Sequence, residues 1–249
     1  MMKRVRIALI AAMNLGFAVT AGHAAPGSVL IWPIDPVIEP SQRAAALWLE
    51  NTGKTPIMLQ VRVFAWKQQS ETDVYAKQSD VIGTPPMVRI DPGRRQLVRL
   101  TRTVAAAPDS ETAYRVVIDE IPTPEAAPAA DQGAKILFRM RYSIPLFSYG
   151  AGIGGKEREA ASATPRLEWR PVTVGDKGYL QIRNQGPVHA RLVGAAFGGD
   201  PATPFAPGLL GYVLPGATMR WPLPQGVRPD RLTIVVNGTP RRTIASASE

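Results

Sequence analysis

Cysteine is absent from the 249 residues, and histidine occurs only twice. Without thiols there is no disulfide framework, no thiolate metal site and no cysteine nucleophile. Long apolar runs are scarce: after Val19 nothing approaches the ~20 consecutive apolar residues of a membrane-spanning helix. Helical periodicity is hard to find, and there is no concentrated Lys/Arg cluster of the nucleic-acid-binding kind.

What is present starts at the N-terminus. Lys3, Arg4 and Arg6 precede an apolar run from Ile7 to Val19, and Ala21-Gly22-His23-Ala24-Ala25 follows with small residues. This three-part pattern predicts a secretory signal over residues 1–25, cleaved after Ala24 or Ala25, and hence an exported protein. Its removal takes His23 away and leaves His189 as the one imidazole, so triads and histidine-bound metal sites have almost no material. Removing Lys3, Arg4 and Arg6 from the formal +9 leaves 26 basic against 20 acidic residues, a net +6. That mild basic bias suits an acidic or carboxylate-bearing partner.

The rest reads as short alternating or β-branched segments separated by Pro, Gly, Asn and Asp, which predicts an all-β protein. Expected strands in the first half are 28–34, 43–50, 57–66, 87–90, 95–102, 112–121 and 135–147. Asn51-Thr52-Gly53-Lys54 and Asp91-Pro92-Gly93 supply the positive-φ and fixed-φ residues of tight turns. This is the size and rhythm of an immunoglobulin-like sandwich, expected over residues 26–150. Pro122–Gly133 reads as an exposed loop, and residues 151–164 as a Gly/Ala-rich linker. A second β-sandwich domain is expected over 165–249, with turns at Asn184-Gln185-Gly186-Pro187, Leu214-Pro215-Gly216 and Asn237-Gly238 and a frayed tail after Ile244. Gly150, Gly152 and Gly155 match the G-x-G-x-x-G spacing, but Pro165 leaves no room for a full crossover helix, so a linker explains them better than a dinucleotide site.

The most informative stretch is Lys135–Phe147. Ile136, Phe138, Met140, Tyr142, Ile144 and Leu146 share one face of a strand, and that face is wholly apolar or aromatic. Such a strand can be an ordinary core strand. It is, however, unusually long, it is the last of its domain, and Leu137 and Phe147 can supply core contacts from its other face. An edge strand with exposed apolar groups is what strand addition to a partner uses.

Thr84-Pro85-Pro86, Arg89-Ile90-Asp91-Pro92-Gly93, Leu97-Val98-Arg99-Leu100, Tyr114-Arg115-Val116 running into Glu120-Ile121-Pro122, and the strand 136–147 together resemble the periplasmic chaperones of the chaperone–usher pilus pathway. The resemblance is specific across 28–150. Ser28–Pro36, Leu47–Asn51 and Leu59–Trp66 are closer to the archaic branch, which serves spore-coat-U-type pilins. It implies two immunoglobulin-like domains at an angle, pilin subunits and an outer-membrane usher as partners, a periplasmic location, no cofactor and no metal. It also implies donor-strand complementation, in which Ile136, Phe138, Met140, Tyr142 and Ile144 fill the groove of an unfinished subunit; chaperone–pilin complexes are themselves a standard example of this recognition mode. Free chaperones of this kind can self-associate to cover the strand. The better-known branch anchors the subunit's C-terminal carboxylate with an Arg and a Lys; Asp35 and Pro145 stand at those positions here and cannot. The anchor is therefore absent or moved to another cleft arginine, with Arg89 and Arg115 as candidates.

The remaining residues read as structural. Asp119 and Glu120 face opposite sides of a strand and cannot act as one acid–base pair; a sheet-edge or corner feature is expected. His189 is expected to be a packing or surface residue, and Trp32, Trp48 and Trp66 core or cleft aromatics. Arg94, Arg95, Arg99 and Arg102 form a basic cluster, either a solvated face or a contact for an acidic partner. The reading is a binding protein rather than an enzyme. The rival is a secreted adhesin-like or carbohydrate-binding β-sandwich.

Overall fold

A computed structural model describes residues 29–122, 139–153, 164–198, 203–225, 230–240 and 242–246. Among these the chain forms seventeen strands and no helix. The predicted signal peptide lies outside the described residues, as does most of the predicted loop 122–133.

The first ten strands build two sheets. One runs β1 (Val29–Trp32), β3 (Ala44–Asn51), β8 (Arg95–Arg102), β6 (Val81–Thr84) in space. The other runs β2 (Val37–Ile38), β10 (Arg141–Tyr149), β9 (Glu111–Ile121), β4 (Ile57–Gln69), β5 (Thr72–Lys77), with β7 (Met87–Ile90) also paired to β4. Period-two alternation sends one side of each strand inward. Leu47, Leu49, Leu59, Val98, Leu100, Val116, Ile118 and Leu146 are fully buried in the core between the sheets. Burial of each such side chain stabilises the fold by about 1.5–3 kcal/mol.

The remaining strands are β11 (Leu167–Val174), β12 (Lys177–Asn184), β13 (Ala190–Phe197), β14 (Thr203–Val213), β15 (Thr218–Pro222), β16 (Leu232–Val236) and β17 (Arg242–Ser246). They follow one hydrogen-bonded path, β14-β13-β16-β17-β11-β12-β15. The two ends of that path share a core: Trp169, Leu180 and Ile182 pack with Leu192, Phe197, Leu232 and Ile234.

Four elements escaped the sequence reading. β2 has two residues, β5 is exposed along its whole length and so shows no burial alternation, and β6 is short. The chain near its end forms β17, which pairs antiparallel with β16 and parallel with β11, with Ile244 in the core; of the tail expected to fray after Ile244, Ala245 and Ser246 are paired to β11 and the rest lies outside the described residues. The start of the predicted linker is also pinned. A Cβ on Gly150 would meet the Ala107 carbonyl oxygen at 1.8 Å. The Asp109 N–H donates to Ala151 O at 2.7 Å, and Ile153 is buried in the second core. Gly150 is there for close backbone approach, not for freedom.

Candidate functional site: an open seam and an interdomain elbow

β10 is hydrogen-bonded to β9 along its whole length, from Arg141↔Asp119 to Tyr149↔Glu111. On its other side, among the described residues, only Phe147 and Ser148 are paired, to Val37 and Ile38 of β2. Among the described residues, no strand pairs with Arg141–Leu146 on that side. Among the described residues β1 is likewise an edge, paired to β3 alone. The two free edges flank an open groove of about 490 Å³, walled by Val29, Ile31, Ile34, Tyr142 and Ile144. Free edges leave main-chain N–H and C=O groups ready to accept a further strand.

The outer face of the same sheet turns toward the second domain. Phe147 stacks on His189 with ring centres 3.5 Å apart and planes 5° apart. His189 Nδ1 lies 2.7 Å from Glu111 Oε2, and the same carboxylate accepts the His189 backbone N–H at 3.1 Å. Gln68 at the end of β4 donates to Tyr212 O at 2.9 Å and accepts from the Leu214 N–H at 2.8 Å. Glu71 reaches Gln181 at 2.6 Å and Arg220 at 3.0 Å. Between the domains lies a cavity of about 430 Å³ bordered by Asp35, Phe147, His189, Arg191, Tyr212 and Asn237.

Comparison with known proteins decides what this arrangement belongs to. A model of the pili and flagellar-assembly chaperones, PapD N-terminal domain, matches residues 36–153. CsuC, seen with CsuE in a chaperone–tip adhesion subunit pre-assembly complex from archaic chaperone-usher Csu pili of Acinetobacter baumannii, is 34% identical with a TM-score of 0.72. That match covers 88% of this chain and 99% of the other. The chain belongs to the PapD-type pilus chaperones. The probable fimbrial chaperone YadV of Escherichia coli K12 is 28% identical over 159 residues, which span 61% of each chain, less than two thirds of YadV's length. The SafB chaperone, solved with the Salmonella enterica SafA pilin, shares the fold at 22% identity and a TM-score of 0.61.

In this chaperone the expected donor row divides. Ile136 and Phe138 lie outside the described residues. Met140 is 43% exposed, just ahead of β10. Tyr142 is half-buried against the first core, and its hydroxyl is enclosed beside the Val29 backbone without a hydrogen bond. Burial pushes that phenol up, the Glu120 charge adds to it, and the Val29 backbone works against both. Ile144 corrects the sequence reading: it is 7% exposed and packed in the chaperone's own core, as is Leu146 at 0%. β9 presents Val116 and Ile118 to that same core beside them, so the inward face is already spent.

The arginines divide too. Arg89 sits on β7 opposite Met58, at the end of β4 away from the second domain, and pairs with Asp91 at 3.6 Å. It is not a cleft residue, which corrects that candidate. Arg115 points into the elbow. Its guanidinium lies 3.7 Å over the Trp66 ring and 5.3 Å from Tyr212, and its Nε is buried without a hydrogen-bond acceptor. Asp35 borders the interdomain cavity, and Pro145, opposite Arg115, is buried.

Asp119 and Glu120 do face opposite ways. Asp119, however, is no corner: it is buried on the cleft-side face and paired to Arg141 and, at 2.5 Å, to Arg62. Burial pushes its carboxyl up, but the hydrogen bonds and charges of Arg141 and Arg62 outweigh this and hold it below the ordinary carboxylate value. Sequence reasoning missed the Glu111–His189 and Gln68 contacts. Each joins residues at least 78 positions apart and carries no local signal.

Proposed function

We propose that this pilus-assembly chaperone captures unfinished pilin subunits by lending them the free edge of β10 together with the apolar side chains that precede it. The unpaired edge Arg141–Leu146, with Met140 exposed at its head, carries the reading. CsuC, caught in a pre-assembly complex with a tip subunit, supports it. Main-chain hydrogen bonds along the edge supply affinity, and alternate side chains entering the subunit's groove supply specificity. Ile136, Phe138 and Met140 are the donors in this reading. Tyr142 stands at the border, and Ile144 holds the chaperone together instead.

The protein works in the periplasm, delivered there by residues 1–25, and hands its subunit to an outer-membrane usher. Free copies cover the donor strand by pairing with one another. Arg115 receives the subunit's C-terminal carboxylate, since its buried Nε has no acceptor of its own and an arginine fork suits a carboxylate.

The test is periplasmic co-expression with a pilin subunit, followed by pull-down. Met140→Asp should cut subunit recovery by about tenfold or more, the equivalent of ~1.4 kcal/mol, while the chaperone's own urea midpoint stays put. Ile144→Ala should instead lower that midpoint, with a loss of about 2–4 kcal/mol of stability. For the anchor, extending the subunit's C-terminus by one residue should weaken capture by wild type but not by Arg115→Ala. Normal recovery by Met140→Asp would sink strand donation; equal sensitivity of both chaperones to the extension would sink the anchor alone.

A further inference from the structure

The second domain packs against only one face of the first sandwich. The outer face of the other sheet, β1-β3-β8-β6, shows no hydrogen bond or ion pair to the second domain among the described residues, yet it is not an ordinary polar surface. Trp32 and Trp48 stand opposite each other on β1 and β3, stacked with ring centres 6.2 Å apart and planes inclined by 13°. Leu97 of β8 continues the row. The Arg95 guanidinium lies 5.0 Å over the Trp48 ring, and Arg99 is exposed opposite Ala46. Leu30 and Ile82, at two corners of the sheet, are 52% and 50% exposed.

Small side chains shape this face. Ala44 and Ala46, on the face of Trp48, floor two adjoining depressions, while Ala45 turns into the core. One, of about 550 Å³, is bounded by Trp32, Pro33, Pro36 and Trp48. The other, of about 210 Å³, is bounded by Leu97 and Arg99. An aromatic wall thus leads into a pair of arginines across a shallow trough. Tryptophan and arginine are the side chains that most often dominate binding energy at interfaces, because each covers a large area and carries a polar handle.

The charge selects the occupant. Arg95 and Arg99 line one side against a single Glu50 in the paired row, and neither makes an ion pair among the described residues. A second copy of this chain, itself net basic, would bring like charge to the trough. Arg102 does not belong to the patch: it points across the end of the sandwich to Pro40 O at 2.5 Å and Tyr149 O at 3.2 Å.

We propose that this face is a docking site for an acidic, extended segment of a partner protein, with a proline or aromatic ring seated against Trp32 and Trp48 and carboxylates on Arg95 and Arg99. The site is separate from β10 and does not rest on strand donation.

The experiment titrates the isotope-labelled chaperone with a synthetic peptide, Glu-Asp-Tyr-Pro-Asp-Glu, and follows amide shifts and tryptophan emission. Shifts should cluster on β3 and β8, and affinity should fall with added salt. Arg95→Glu combined with Arg99→Glu, both exposed and so compatible with folding, should weaken binding by about tenfold or more. Met140→Asp should leave it unchanged. Equal binding of a Lys-for-acid version of the peptide would overturn the proposal. So would shifts confined to the β10 edge, no shift at millimolar peptide, or indifference to the double charge reversal.

Discussion

The two domains turn the same corner in the same way. In the first, β3 ends on Asn51 and the Asp91-Pro92-Gly93 turn lies beside it; in the second, β12 ends on Asn184 beside Leu214-Pro215-Gly216. Asn51 Nδ2 donates to Thr55 O and Ile90 O, and its Oδ1 accepts the Gly53 N–H. Asn184 Nδ2 donates to Val188 O and Val213 O, and its Oδ1 accepts the Gly186 N–H. The main chain repeats as well. Gly93 and Gly216 donate to the two asparagine carbonyls at 2.8 and 2.9 Å, and their φ angles are +67° and +71°.

What differs is the use of the corner. Among the described residues, the Asn51 corner bonds only within its own sandwich. Asn184 Oδ1 also accepts the Arg166 N–H, where the chain enters the second domain. Gly186 lies so close to that entry that a Cβ would meet Thr164 O at 2.5 Å. Leu214, at the head of the adjoining turn, donates to Gln68 of the first domain. One backbone device therefore caps a sandwich in one place and joins two sandwiches in the other. A repeated local structure carries no fixed role; its neighbours assign one.

The comparison can be broken most forcefully at the asparagines. Asn51→Ala removes three hydrogen bonds and Asn184→Ala four, in buried surroundings. At about 1 kcal/mol per bond, urea unfolding should show losses near 3 and 4 kcal/mol. Asn184→Ala alone should also broaden the distance distribution between spin labels on the two domains. Equal widths in both variants would mean that the second corner does not brace the elbow.

A smaller effect is expected from alanine at the glycines. Gly186→Ala must push backbone aside and should cost about 2–3 kcal/mol. Gly93→Ala and Gly216→Ala meet open space and bear only the left-handed φ, about 1–2 kcal/mol each. A Gly186→Ala variant no worse than Gly216→Ala would show that the entry segment can yield.

The smallest effect is on acid sensitivity. The ion cluster of Asp119 belongs to the first domain. Because its folded pKa is depressed, its contribution is complete above the ordinary aspartate value and is lost as pH falls through the lower folded value. Asp119→Asn should therefore be less stable than wild type at neutral pH, yet lose less as pH drops below the ordinary aspartate range. Parallel stability curves for the two proteins would contradict this.

Much of this was legible in the chain. The Asn-x-Gly and Pro-Gly turns mark both corners because only a few residue types accept those dihedral angles. The alternation in 43–50 and 95–102 places Leu47, Leu49, Val98 and Leu100 on one side, and they are the core. The elbow was not legible: Phe147 on His189 and Gln68 on Leu214 depend on how two finished domains meet. Nor was the placement of Trp32 and Trp48, expected in core or cleft but stacked on an outer face.

By itself the sequence determined the all-β class, the corner chemistry and the absence of thiols, because composition and local dihedral preference act within a few residues. Tertiary structure alone decided that Tyr142 and Ile144 turn toward the chaperone's own core, that Arg115 rather than Arg89 enters the elbow, and that a tryptophan pair faces out. Period two says which residues share a face. Only the neighbouring strands and the second domain decide which face is covered.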